Sequence, residues 1–268
     1  MTTRALLRRA WRLPAVLGWI GCGLVLSIAA ALAEAIVPSR AAHLRAQLCQ
    51  GWMHGLVWLL PLKVRCHGSV PDRTALWLSN HISWLDIVLI GRLAPLHFLS
   101  KAEVAHWPVI GWLARGAGTL FIRRGQAGGQ SLNDQLSQVL KAGRSLVVFP
   151  EGTTTSGEQV KTFHGRLLAG AIDAAVPLQP TAISYRRDGK PDLVAPFIND
   201  DEFTAHLWRL LGSERIDVDI HLLPLIDSSC APRNELARCA RDRVLEALAL
   251  RDQSPPTSLA PSVASRAA

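Results

Sequence analysis

From about residue 63 to residue 250, short apolar runs alternate with amphipathic stretches. The runs that read as strands are 64–67, 75–79, 97–100, 119–122, 145–149, 178–184 and 216–223. Each is a few residues long and ends at polar or turn-forming residues, as strands do. Between them, apolar spacings of three and four predict helices over 84–94, 103–114, 130–142, 163–175, 201–211 and 233–250. The last follows Pro232 and carries Leu236, Val244, Leu245 and Leu248 at helical spacing. Strand–helix alternation of this kind predicts an α/β fold, a mostly parallel sheet flanked by helices.

Upstream the pattern changes. Residues 13–37 carry one charge, Glu34, and the run exceeds the roughly 20 residues that cross a bilayer core. Arg4, Arg8, Arg9 and Arg12 precede it and favour a cytoplasmic N-terminus. A cleaved signal peptide is the rival reading, but the apolar part is too long and no secreted-type cysteine pattern follows. A second apolar stretch, 51–60, contains Trp52 and Trp58. It is too short for an ordinary span and suits an interfacial or re-entrant helix. The expected organisation is a membrane-anchoring helical segment over 1–62, one α/β domain over 63–252, and a tail over 253–268. The tail is rich in Pro, Ser and Ala and reads as disordered.

Composition sharpens this picture. Apolar residues make up 49% of the 268 and charged residues only 19%, with a net charge of +8. An oily, basic chain with nine tryptophans suits an anionic membrane surface. Nucleic acid is the other usual partner of a basic chain, yet no basic run is interleaved with aromatics, so no nucleic-acid partner is expected. The five cysteines form no C-x-x-C pair and their number is odd, which reads as reduced thiols. No Cys/His spacing indicates a metal site.

The candidate chemistry sits where apolar runs end. Asn80-His81-Ile82-Ser83-Trp84-Leu85-Asp86 follows the run 75–79 and sets a histidine and an aspartate in H-x-x-x-x-D spacing. Such an aspartate can fix the imidazole tautomer while the other ring nitrogen takes a proton from a hydroxyl. Taken alone, His81 reads as a strand-end histidine satisfied in the core, and Asp86 as a first-turn acid favoured by the helix dipole. Asn80 and Ser83 read as helix caps. Phe149-Pro150-Glu151-Gly152-Thr153-Thr154 closes another apolar run. A carboxylate directly after Val147-Val148-Phe149-Pro150 is costly without a partner, and Gly152 permits close backbone approach or a positive φ.

Two further blocks complete a pattern. One is Gly118-Thr119-Leu120-Phe121-Ile122-Arg123-Arg124, preceded by Lys101-Ala102-Glu103 and Trp107-Pro108-Val109-Ile110-Gly111; the other is Val176-Pro177-Leu178-Gln179-Pro180. Four such blocks in this order resemble the glycerolipid (1-acyl-sn-glycerol-3-phosphate type) acyltransferase family, over roughly residues 63–225. The resemblance implies His81 and Asp86 as a catalytic general-base pair. It implies Arg124, with Lys101, at the acceptor's anionic headgroup, and Glu151, Gly152 and Thr153 in substrate binding. A solvated or lipid-facing basic group is the competing reading for Arg124 and Lys101. Many family members carry an arginine after the threonine of the third block, where this chain has Thr154. That departure, with the stretch through Phe163-His164, resembles the branch of lyso-ornithine lipid acyltransferases.

The resemblance therefore implies a membrane-bound O-acyltransferase. The acyl donor would be acyl-CoA or acyl carrier protein, with no other cofactor. The acceptor would be a lysolipid: lysophosphatidate in the leading reading, lyso-ornithine lipid in the alternative. The reaction would be direct attack of the acceptor hydroxyl on the thioester, in the cytoplasmic (inner) membrane with the catalytic domain facing the cytoplasm. A non-catalytic lipid-binding protein is the reading from another class, and the His81, Asp86 and Glu151 constellation argues against it. A serine hydrolase is disfavoured because Gly-x-Ser-x-Gly is absent.

Overall fold

The seven predicted strands all form, and they join one sheet. The computed structural model describes residues 2–36, 38–122 and 132–252. In chain order the strands are β1 Leu62–His67, β2 Leu76–Ser79, β3 His97–Lys101, β4 Leu120–Ile122, β5 Leu146–Val148, β6 Leu178–Arg187, β7 Lys190–Pro191 and β8 Ile216–Leu222. Their order in space is β1-β8-β6-β2-β5-β3-β4, with the two-residue β7 beside β6. Every neighbouring pair is parallel except β6–β8 and β6–β7. The central strand β2 is buried along its whole length. That explains why it reads as an unbroken apolar run instead of an alternating one.

The helices are α1 Thr3–Ile36, α2 Pro38–Leu59, α3 Leu85–Gly91, α4 Ile110–Gly116, α5 Leu132–Lys141, α6 Ala169–Asp173, α7 Phe203–Gly212 and α8 Arg233–Asp252. Two apolar clusters cover the two faces of the sheet. One gathers Leu85, Leu89, Leu210 and Leu211 with Trp77, Val147, Ile183 and Val218. The other gathers Leu136, Leu140, Leu168, Leu236 and Val244 with Leu76, Leu78, Val148 and Leu178. Alternate residues of β2 thus serve opposite cores, as the period of two requires.

Two predicted helices are interrupted. The 103–114 stretch divides into a 3₁₀ turn, Ala102–His106, and α4. Pro108 lies at the break, and Val109 has φ 65°, a conformation rare for a β-branched residue. The 163–175 stretch likewise opens as a 3₁₀ turn, Gly165–Leu168, before α6.

Helices α1 and α2 pack as an antiparallel hairpin. Trp19 Nε1 donates to the Trp52 carbonyl at 2.9 Å, and Trp52 Nε1 donates to the Trp19 carbonyl at 2.9 Å. Gly23 and Gly55 leave the flat seats that these two rings occupy. Farther out, Glu34 pairs with Arg45. The apolar stretch 51–60 is only the second half of α2, because the polar residues ahead of it are helical too. Met53, Leu56 and Val57 share the core of the sheet's first face, so this half docks on the domain. At the other end of the hairpin, three arginines of α1 cap the last carbonyls of α7. Arg9 Nε reaches Trp208 O at 2.9 Å, and Arg12 Nη1 reaches Leu211 O at 2.9 Å and Ser213 O at 2.8 Å. Arg8 Nη1 reaches Gly212 O at 3.4 Å, and Arg8 Nη2 bonds the Glu214 carboxylate at 2.7 Å. Cations there suit the negative end of a helix.

Candidate active site

His81 sits just past the C-terminal end of β2, and Glu151 just past the C-terminal end of β5. These are the middle of the sheet, at the point where the chain's progress along it reverses. Open α/β sheets bind ligands there because adjacent connections leave in opposite directions and open a crevice.

The loop that carries His81 is held from every side. Asn80 clamps it to β6: its amide donates to Ile183 O at 3.0 Å and its carbonyl oxygen accepts Ile183 N–H at 2.9 Å. Ile82 O accepts Phe197 N–H at 2.9 Å, and His81 O accepts Thr155 N–H at 2.9 Å. Asn80 is therefore a cross-strand tie and not a helix cap. Ser83 does not cap α3 either, since the N-cap position is Trp84 and no side chain caps the helix. Asp86 instead reaches back from the first turn of α3 to the loop ahead of it, accepting the N–H groups of Ile82 at 2.7 Å and Ser83 at 3.0 Å.

The same carboxylate oxygen, Asp86 Oδ2, lies 2.8 Å from His81 Nδ1. Asp86 Oδ1 accepts the hydroxyl of Tyr185 at 2.5 Å. Asp86 is wholly buried, and it accepts from Ile82 N–H, Ser83 N–H and the Tyr185 hydroxyl, which suits a carboxylate that serves as an acceptor. Nδ1 of His81 then carries the proton, which leaves Nε2 as the basic nitrogen. The imidazole stacks on Phe149, with ring centroids 3.9 Å apart and planes 14° apart. Its side chain keeps 18% exposure, enough for Nε2 to meet a substrate hydroxyl.

Glu151 is nearly buried. Its Oε1 accepts the backbone N–H of His81 at 2.8 Å, and its Oε2 accepts that of Lys161 at 2.7 Å. Burial pushes its carboxyl above the ordinary value, while the two N–H donors and the nearby His81 work the other way. In this geometry Glu151 ties two loops together beneath the base. Gly152 takes φ 70° and stands in open space, with its N–H given to Phe149 O at 3.0 Å. Thr153 is exposed beside it. Lys101 closes β3, but its side chain lies outside what is described, and Arg124 lies outside the described residues altogether. The structure thus brings together His81, Asp86, Glu151, Gly152 and Thr153.

Tyr185 is the group that sequence reasoning missed. It is the single tyrosine of the chain, and a buried strand position for a phenol was the available signal. Among the described residues, no group of His, Cys, Asp and Glu is arranged to hold a metal. Trp84, next to the site, donates its indole N–H to His206 Nδ1 at 3.0 Å and packs against Phe203. Ile82 and Leu85 are core residues, whereas Trp107, Val109 and Trp112 stand at the surface.

Comparison with known proteins bears directly on this geometry. A family model described as Acyltransferase matches residues 63–184. The chain is 50% identical to the lyso-ornithine lipid O-acyltransferase of Pseudomonas aeruginosa, over 91% of this chain and 95% of that protein. It is 28% identical to the 1-acyl-sn-glycerol-3-phosphate acyltransferase of Neisseria gonorrhoeae, over 63% of this chain and 66% of that one. The crystal structure of the 1-acyl-sn-glycerophosphate acyltransferase of Thermotoga maritima has the same fold, with a TM-score of 0.69 over 94% of this chain and 98% of that one, at 21% identity. With half of its residues identical to those of a lyso-ornithine lipid O-acyltransferase along almost the whole length of both chains, and with a matching family model over its first and third blocks, the chain belongs to the glycerolipid acyltransferase family and is an acyltransferase.

Proposed function

We propose that the protein transfers a fatty acyl group from an acyl thioester, acyl-CoA or acyl carrier protein, to the free hydroxyl of a lyso-ornithine lipid. The observation that carries the chemistry is the contact of His81 Nδ1 with the buried Asp86 carboxylate at 2.8 Å. His81 Nε2 takes the proton of the acceptor hydroxyl as its oxygen attacks the thioester carbonyl. The carbon–sulfur bond breaks and the thiol leaves with a proton returned from the imidazolium. Asp86 holds the ring in the productive tautomer and stabilises the imidazolium as it forms. The substrate supplies the nucleophile, so no acyl-enzyme is required.

The acceptor rests on two supports. One is the extent of identity with the relative from Pseudomonas aeruginosa. The other is Thr154, at the position where many family members carry an arginine, so this chain has one cation fewer there for a phosphate headgroup. Lys101, Arg124, Gly152 and Thr153 are the remaining candidates for substrate contacts.

The membrane attachment follows from the hairpin. Helix α1 is long and apolar enough to cross a membrane, and Leu17, Val25, Ile28 and Leu32 are exposed on it. Yet its first turns are bonded to α7, and α2 brings the chain back into β1. Both ends of the hairpin meet the catalytic domain on one side, so the hairpin inserts and returns. The arginines of its first turns support a cytoplasmic side for that face, by the preference of basic residues for the cytoplasmic side. Protease treatment of sealed inside-out vesicles should digest the catalytic domain; protection would overturn this orientation.

An acceptor panel tests the assignment. Membranes containing the protein are given labelled acyl-CoA or acyl carrier protein thioester, with lyso-ornithine lipid, lysophosphatidate or lysophosphatidylglycerol. Transfer to lyso-ornithine lipid is expected. Transfer to lysophosphatidate alone would overturn the acceptor and leave the enzyme class intact.

A further inference from the structure

Tyr185 enters the site from a strand distant in sequence. Strand β6 lies beside β2, with Leu78 opposite Pro180 and Ser79 opposite Thr181. The strand runs on past the end of β2 and carries Tyr185 up alongside the His81 loop. There its hydroxyl meets Asp86 Oδ1 at 2.5 Å, on the oxygen that His81 does not use. The phenol is 5% exposed and packs in the core of the sheet's first face. No packing need explains a hydroxyl at this point, because phenylalanine would fill the same volume.

We propose that Tyr185 is a positioning residue for the reaction: by donating to the distal oxygen of Asp86 it fixes the carboxylate plane and draws charge away from the oxygen facing His81, which tunes how strongly the carboxylate supports proton transfer to the imidazole. The proposal rests on His81 as the base. A carboxylate whose charge is fully concentrated on one oxygen would hold the imidazolium too tightly, and the ring would remain protonated at lower proton concentrations. A hydrogen bond from a neutral phenol to the other oxygen competes for that charge. Burial keeps the phenol protonated, with its ionisation pushed well above the ordinary tyrosine value by desolvation and by Asp86 itself. It therefore remains a donor throughout the working range. The ionisable groups that face the imidazole are Asp86 on α3, Tyr185 on β6 behind it, and Glu151 on the loop after β5, whose carboxylate engages backbone only. His206 on α7 faces Trp84, whose indole N–H donates to its Nδ1.

The test uses the fact that the chain has one tyrosine. Growing the full-length protein on 3-fluorotyrosine or 3,5-difluorotyrosine alters this side chain alone and makes it a progressively stronger donor. Tyr185→Phe removes the donor at almost constant volume. The reading is kcat/KM against pH, with a long-chain acyl thioester and lyso-ornithine lipid at low concentration. Tyr185→Phe should move the acid limb upward by about 0.5–1 pH unit, as expected for part of a charged hydrogen bond. The fluorotyrosine proteins should move it downward, in order of phenol acidity. Shifts of opposite sign on removing and strengthening one donor are not produced by loosened packing.

If the acid limb stays in place in all three proteins while the rate falls uniformly, Tyr185 serves structure only and the proposal fails. If His81→Ala retains turnover, the general-base reading itself fails, and the proposal with it.

Discussion

The carboxylate of Glu151 accepts the backbone N–H of His81 at 2.8 Å, so the acid of the third sequence block holds the main chain of the residue that bears the base. Its other oxygen holds Lys161 N–H. Removing the carboxylate leaves two part-buried N–H groups without this partner, each costing up to about 1–3 kcal/mol. Glu151→Ala should therefore lower stability by about 2–5 kcal/mol and abolish turnover. Glu151→Gln keeps one acceptor and turns an amide N–H₂ toward the other backbone donor. It should cost about half as much and leave weak activity. Urea unfolding alongside the transfer assay checks both. Unchanged stability in Glu151→Ala would show that the clamp contributes nothing.

Asp86→Asn tests the other side of the base. Asparagine keeps the volume but cannot be an acceptor toward four donors at once, and it favours the wrong imidazole tautomer. Turnover should fall by about 10²–10⁴-fold, the usual worth of a positioned general base. Near-normal turnover in a folded Asp86→Asn protein would remove Asp86 from the mechanism.

Much of the fold is legible in the sequence alone. The strands announce themselves because a parallel sheet covered on both faces needs continuous apolar runs, and the His81 and Glu151 blocks lie where such runs end. The partners of those residues were not legible. Tyr185 lies 99 residues from Asp86, and only the placement of β6 next to β2 brings them together. Glu151 binds backbone N–H groups, which no residue code displays. The first half of α2 was hidden by Arg40, Arg45, Gln47 and Gln50, which erase its hydropathy but not its helicity. The arginines of α1 read as topological charges, and their bonds to α7 carbonyls are purely tertiary. The 103–114 helix failed at Pro108, where the missing N–H and the preceding-residue restriction favour a break.

The hairpin makes a steric prediction. A Cβ at Gly55 would overlap the Trp19 ring, and one at Gly23 would overlap Trp52. Gly55→Val should prise the helices apart and destabilise the protein in detergent by about 1–3 kcal/mol, the usual cost of overpacking. Thermal unfolding of the purified protein reads it. Gly18→Val, at a glycine with open space around it, should change little. Equal effects from the two would contradict the packed hairpin.

Burial lowers the His206 imidazole below its ordinary value. The folded protein therefore resists a proton that the unfolded chain accepts near pH 6.5. The contribution is fully present above about pH 6.5 and is lost as the pH falls through the lower folded value. Protonation would also break the bond from Trp84, because Nδ1 could no longer accept it. His206→Gln keeps an acceptor for Trp84 and does not titrate, so it should flatten part of the acid-side stability loss. His97, also lowered chiefly by burial, accounts for a further part. An identical slope between pH 6.5 and 5 in the two proteins would contradict the assignment.

The most direct test of the central claim is label transfer from an acyl thioester to lyso-ornithine lipid by the intact protein and by His81→Ala, both in membranes and with matched amounts of folded protein. The general-base account predicts that His81→Ala stays folded and membrane-bound and loses nearly all transfer, while the intact protein turns over. Substantial transfer by folded His81→Ala would contradict it.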